Sequence, residues 1–204
     1  MASEIAVRAA ARRRTVLGNF RACFITERSA AAASEFALVL PAFILLTIET
    51  MQLGMYFYTS ASLDHATTYA ARQILTGAVT NQGLTATQFR TNVLCPLLPG
   101  SMSCSNIITN IQTVPEATSP AGFYAFLNAG QTGLAQPTMD NTQTSFCPGS
   151  TGSYVYLQVY YAMPTLSPIW TAAATSWNGS KVHFITATAA FKNEPFQSSS
   201  QTGC

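Results

Sequence analysis

The chain has 204 residues, of which 48% are hydrophobic and only 9% charged, with a formal net charge of +2. That length suits one domain plus an anchor, and the charge content lies far below the usual quarter. Nucleic-acid binding is excluded by where the charges fall. Beyond Ala31 four basic residues (Arg72, Arg90, Lys181, Lys192) face six acidic ones (Glu35, Glu49, Asp64, Glu116, Asp140, Glu194), which leaves no basic patch.

In chain order, residues 1–30 form a basic, Ala-rich leader carrying six of the ten basic residues, Arg8, Arg12, Arg13, Arg14, Arg21 and Arg28. A transit peptide would share this composition but would lack an adjoining membrane span. An apolar run then extends from Phe36 to Tyr58, 23 residues in all. A secretory signal core is shorter, about 7–15 residues. As a helix the run rises about 34 Å, enough to cross a hydrocarbon core of about 30 Å. Arginines before the span place the N-terminus in the cytoplasm by the positive-inside rule, with Tyr56 and Tyr58 at the outer interface.

Three features of the span are unnecessary for a plain anchor. Pro41 removes a backbone donor, which neighbouring helices can absorb in a membrane. Glu49 lies inside the apolar run, at an insertion cost of at least about 2.5–3.5 kcal/mol near midplane. Glu35 stands fourteen residues earlier, close to four turns, so both carboxylates share a face. Gln52 extends that polar edge, and Gly54 lies near its end. A helix with one polar edge in lipid packs against other helices.

Apolar positions Leu63, Ala66, Ala70 and Ile74 keep helical spacing beyond the span, so the sequence predicts one helix over residues 31–77, ending at Gly77. Residues 78–204 read as an exported α+β domain. Thr85-Ala-Thr-Gln88 signals a capping box that opens a short helix, with its end before Pro96. Strand patterns follow at Asn106–Val114, Ser153–Met163 and Val182–Lys192. Residues 115–152 read as a long loop with one helical turn near Phe123–Leu127. The fold class is therefore α+β: a long N-terminal membrane-spanning helix, then a small antiparallel β-sheet domain with a short helix and long loops.

Cys95, Cys104, Cys147 and Cys204 all follow the span, and an even count on the exported side reads as two disulfides with three possible pairings. Cys95–Cys104 with Cys147–Cys204 is the preferred set. Catalysis is not expected. Asp64 and His65 are adjacent on a helix and point apart. His183 lies in a strand pattern, and neither a nucleophile elbow nor a metalloprotease motif is present. No metal or cofactor site is expected. Asn178-Gly-Ser180 matches a glycosylation tripeptide that often arises by chance.

A small residue at Ala30, then Glu35 and Phe36 opening an apolar helix, resembles a type IV prepilin processing site. Cleavage between Ala30 and Ala31 would put Glu35 at the fifth mature position, where it can pair with the N-terminal ammonium of a neighbouring subunit. The wider run Ala33-Ser-Glu35-Phe-Ala-Leu-Val-Leu-Pro41, followed by Leu53-Gly54-Met-Tyr-Phe-Tyr58, resembles the TadE-like pseudopilin family of Flp (Tad) pilus systems. Looser likeness continues through Ala70–Gly77, Leu84–Cys95 with Cys104, and Ile185–Phe196. Family processing sites usually carry Gly where this chain has Ala30, and a second Glu where it has Gln52.

The resemblance implies a minor pilin or pseudopilin acting in assembly of a tight-adherence pilus. Its processing residues would be Ala30 and Ala31, and its packing residues Glu35, Phe36, Pro41, Glu49, Gln52 and Gly54. It also implies an inner-membrane, single-pass chain with a periplasmic C-terminal domain, and the extracellular pilus as a further location. Implied partners are the bilayer, other pilins and pseudopilins, the Tad secretion machinery and a prepilin peptidase. The alternative is an uncleaved, membrane-anchored periplasmic protein that binds envelope components through residues 115–152.

Overall fold

A computed structural model describes residues 28–114, 130 and 137–196. The chain divides into two compact units, Met1–Thr50 and Met51–Cys204. Helix α1 spans Arg28–Leu75 and carries Pro41 without a break. Its stop follows from Gly77, which adopts a left-handed φ of 78°. Gly77 N–H donates to the Ile74 carbonyl at 2.9 Å, and Glu194 N–H caps the Leu75 carbonyl at 3.0 Å. A β-carbon on Gly77 would fall inside the Phe196 ring, so this turn requires glycine on two counts.

Short helices α2 (Ala78–Asn81) and α3 (Ala86–Phe89) follow. The expected capping box is present: Thr85 N–H donates to Gln88 Oε1, and Gln88 N–H donates to Thr85 Oγ1. The predicted stop before Pro96 is corrected. The helical path continues as a π turn over Arg90–Leu94 and a 3₁₀ turn over Cys95–Leu97. Pro96 fits there because the first residues of a helical turn need no N–H donor.

The sheet is antiparallel with strand order β1-β2-β4-β3, formed by β1 (Ile107–Val114), β2 (Tyr154–Pro164), β3 (Thr175–Trp177) and β4 (Ser180–Lys192). The α+β class read from the sequence is the observed one. β3 was not foreseen. It forms a hairpin with β4 through Asn178 and Gly179, whose φ values of 47° and 77° suit a two-residue turn with both central residues left-handed. Pro168–Ala172 forms one further helix, α4, which Ser167 caps.

One sheet face carries Ile107, Ile111, Val155, Leu157, Val159, Tyr161, Ile185 and Ala187 into the core, against Leu63, Ala66, Ala70 and Ile74 of α1. The other face is buried at its centre too, where Asn110 Nδ2 donates to Gln158 Oε1 at 2.8 Å. Burial pushes the Tyr160 phenol above its ordinary range, and neighbouring Tyr156 adds to the shift. The outer edge of β1 is covered by residues 141–147. Asn141 accepts from Thr109 N–H and donates to the Ile107 carbonyl, and Ile111 bridges to the same segment. The neighbouring Asp140 carboxylate accepts from Thr142, whose backbone and then hydroxyl hydrogen bonds hold its pKa below the ordinary value.

Cys95 and Cys104 are disulfide-bonded, with Cα atoms 5.6 Å apart. Replacing both with serine is expected to cost about 2.7 kcal/mol by loop entropy, read as a lower midpoint in urea denaturation. Cys147 is buried and is not a free thiol, and Cys204, its expected partner, lies outside the described residues. The leader and the expected turn at Phe123–Leu127 also lie outside them.

Candidate functional site

Helix α1 contains every residue that the sequence assigns to assembly. Over Ala32–Leu75 it is long and apolar enough to cross a membrane. In the first unit most of its surface is apolar: Phe36, Leu38, Val39, Phe43, Ile44, Leu46 and Ile48 are exposed. A helix of that kind belongs in lipid or among other helices. Two of its hydroxyls there are satisfied along the helix itself, as a lipid setting requires. Thr47 Oγ1 donates to the Phe43 carbonyl at 2.8 Å and Thr50 Oγ1 to the Thr47 carbonyl at 2.9 Å.

Glu35 is exposed beside Phe36, which is 63% exposed, and Pro41 is exposed one and a half turns later. Glu49 is half-buried. Side chains of Ala30 and Ala31 lie outside the described residues, although both positions fall within α1. The spacing of Glu35 and Glu49 thus survives on one unbroken helix. Exposed Glu35 stands among apolar side chains, a setting in which a carboxylate taken out of water is stable only when paired.

Within the second unit, α1 acquires a buried stripe. Gln52, Thr59, Leu63, Ala66, Ala70 and Ile74 are all buried, and their spacing of seven residues and then of three or four keeps one face inward. Gln52 opens this stripe and is 2% exposed. Its Oε1 accepts from Leu166 N–H at 3.1 Å, so its polarity serves a contact inside its own chain. Its Nε2 has no partner among the described residues. Sequence reasoning placed Gln52 on an outward polar edge with Glu49. No local pattern announces a contact to a residue more than a hundred positions away.

Gly54 behaves differently. It is exposed, and a β-carbon there would meet nothing within 4 Å. Its own fold therefore does not require glycine, whereas a closely packed second helix would. Gly54→Leu is expected to leave the melting temperature of the isolated protein nearly unchanged. If the chain enters a pilus, as the resemblance to TadE-like pseudopilins implies, its incorporation should fall about three- to tenfold, the equivalent of about 0.6–1.4 kcal/mol of helix packing, measured by quantitative immunoblot of sheared filaments.

Sequence reasoning missed a further segment, Thr165–Ala174, which carries α4. The signal was there, since Ser167-Pro168 is a cap followed by proline at the first helical position. Ser167 Oγ accepts from Ile169 and Trp170 N–H, and Trp170 packs on Tyr56 with ring centroids 5.5 Å apart. His183 stands edge-on to Trp170 and its Nε2 donates to the Trp170 carbonyl at 2.9 Å. This histidine fixes a loop rather than facing a nucleophile. No group of three or more His, Cys, Asp or Glu among the described residues is placed to hold a metal.

Residues 30–72 match the family model described as TadE-like protein. No curated protein and no solved structure matches the chain. The matched stretch takes in Glu35, the apolar run, Gln52, Gly54 and most of the buried stripe that follows, but none of the sheet. Over the helix that carries its candidate assembly residues, this chain is similar to the TadE-like family, as the run from Ala33 to Tyr58 implied.

Proposed function

We propose that the chain is a minor pilin or pseudopilin of a Flp (Tad) pilus system, inserted in the inner membrane with its sheet domain in the periplasm. One observation carries the reading. A TadE-like stretch coincides with a single long helix that exposes Glu35 at the start of an otherwise apolar surface. Such a helix has two uses in sequence: it anchors the subunit in lipid, then exchanges lipid for the helices of other subunits. The exchange loses little apolar contact, because lipid tails are as apolar as leucine. Glu35 then decides the register, since a carboxylate in an apolar setting is stable only when paired.

The role is structural and non-enzymatic. Partners are other pilins and pseudopilins, the Tad machinery that extracts them and, if the leader is removed, a prepilin peptidase. Ala30 in place of glycine favours a second reading, in which the leader stays and the protein remains an anchored periplasmic subunit outside the filament.

Mass spectrometry of sheared, purified pili separates the two. The proposal expects peptides of residues 31–196 in the filament fraction, beginning at Ala31, and loss of pili in a strain lacking the chain. Absence from pili, a mature N-terminus at Met1 or Ala2, and normal piliation without the chain would together establish the anchored form.

A further inference from the structure

We infer that Thr165–Ala174 is a second membrane contact, a loop that seats Leu166 and Ile169 in the acyl–headgroup boundary of the bilayer that α1 crosses. The inference rests on the reading of α1 as a membrane span. Three observations within the second unit support it.

The first is position. Leu166 is hydrogen-bonded to Gln52, six residues before Tyr58 closes the apolar run. At 1.5 Å per residue that puts the loop about 9 Å below the outer end of the run. Interfacial segments sit about 5–10 Å into this boundary.

The second is composition. Leu166 is 69% exposed and Ile169 58% exposed, while Phe57 and Tyr58 on the adjoining helix are exposed as well. The ten residues Thr165–Ala174 contain no charged side chain. Trp170 and Tyr56, in ring contact, supply the aromatic pair that interfaces favour.

The third is the hydrogen bonding of the loop. Exposed loops in water leave backbone donors to the solvent, whereas a segment in lipid must satisfy them internally. Here Thr165 N–H donates to the Lys181 carbonyl, and Leu166 N–H to Gln52. Pro168 has no N–H, and Ser167 Oγ serves Ile169 and Trp170. Thr171 N–H and hydroxyl both donate to the Ser167 carbonyl at 2.9 Å and 2.7 Å. Ala173 and Ala174 donate back to Trp170 and Thr171. The loop thus presents two large aliphatic side chains while these donors are satisfied within the chain.

The chain contains two tryptophans, Trp170 and Trp177, which makes the contact measurable. Full-length Trp177→Phe protein is reconstituted in phosphatidylcholine vesicles, with or without bromines on the acyl chains near the headgroup. Trp170 emission is expected to fall by about half or more in brominated vesicles, as for an interfacial tryptophan. Leu166→Asp with Ile169→Asp in the same background should recover most of that loss. The wild-type chain, with Trp177 diluting the signal, should lose a smaller fraction, so the result does not depend on how well one variant folds.

Unquenched Trp170 in protein that still resists alkaline extraction would overturn the loop contact and leave the span standing. Alkaline release of the protein would overturn the span reading beneath it. Quenching that survives the aspartate pair would overturn insertion of the loop. Shielding of Trp170 that grows with the protein-to-lipid ratio would assign the surface to a second copy instead.

Discussion

Glu35→Ala is expected to abolish piliation while leaving the amount of protein in the membrane unchanged or higher. Removing a carboxylate from an apolar segment eases insertion by up to about 2.5–3.5 kcal/mol, so anchoring does not suffer. Assembly does. Glu35 is exposed on a surface of Phe36, Leu38 and Val39, where the only way to keep a charge among packed helices is to pair it. The new ammonium at Ala31 of an adjacent subunit is the proposed partner. Breaking such a pair by deleting one member costs about 3–5 kcal/mol, since the other charge stays buried and unpaired. At that scale each affected contact weakens by more than about a hundredfold. Electron microscopy of surface filaments and immunoblots of membrane fractions read the two effects separately. Glu35→Asp, which keeps the charge on a shorter arm, should retain part of the piliation.

Gly77→Ala is expected to be the most damaging single substitution for the folded domain. The residue holds φ at 78°, a conformation that costs an alanine about 1–2 kcal/mol. The added methyl would also meet the Phe196 ring, an overpacking that costs about 1–3 kcal/mol. Together these predict a loss of about 2–5 kcal/mol, or roughly 5–20 °C in melting temperature for a unit of this size. A double-mutant cycle with Phe196→Ala separates the two causes. The steric part should be recovered in the double variant and the backbone part retained. The position matters beyond stability, because it fastens the C-terminal strand segment to the end of α1 through Glu194 N–H on the Leu75 carbonyl.

Much of the architecture was legible because it is periodic. Leu63, Ala66, Ala70 and Ile74 repeat with a helix's spacing, and Val155, Leu157 and Val159 with a strand's. The ends were legible from residues with a single physical use, Gly77 as a left-handed stop and Thr85 with Gln88 as a capping box. What was not legible lies outside local pattern. β3 has only three residues, too few for periodicity, although Asn178-Gly179 was a strong turn signal. Pro96 looked like a helix end because proline usually is one, and here it opens a further tight turn. Gln52 looked like part of an outward polar edge because its true partner, Leu166, lies far along the chain.

That last contact changes how the surface of α1 is divided. Gln52 and the stripe beyond it face the chain's own sheet domain, while Glu35, Phe36 and Pro41 remain exposed and Gly54 presents an open notch. The outward-facing set is the one that the proposed function gives to other subunits. Glu49, half-buried on the same helix, lies between the two.

Site-specific photo-crosslinking in living cells tests this most directly, with the reactive residue replacing Phe36, which is 63% exposed beside Glu35. The account predicts adducts with pilin or pseudopilin subunits in the otherwise wild-type chain, and their loss in the Glu35→Ala background at equal membrane levels. Adducts with lipid alone, or protein adducts that persist unchanged without the carboxylate, would contradict it.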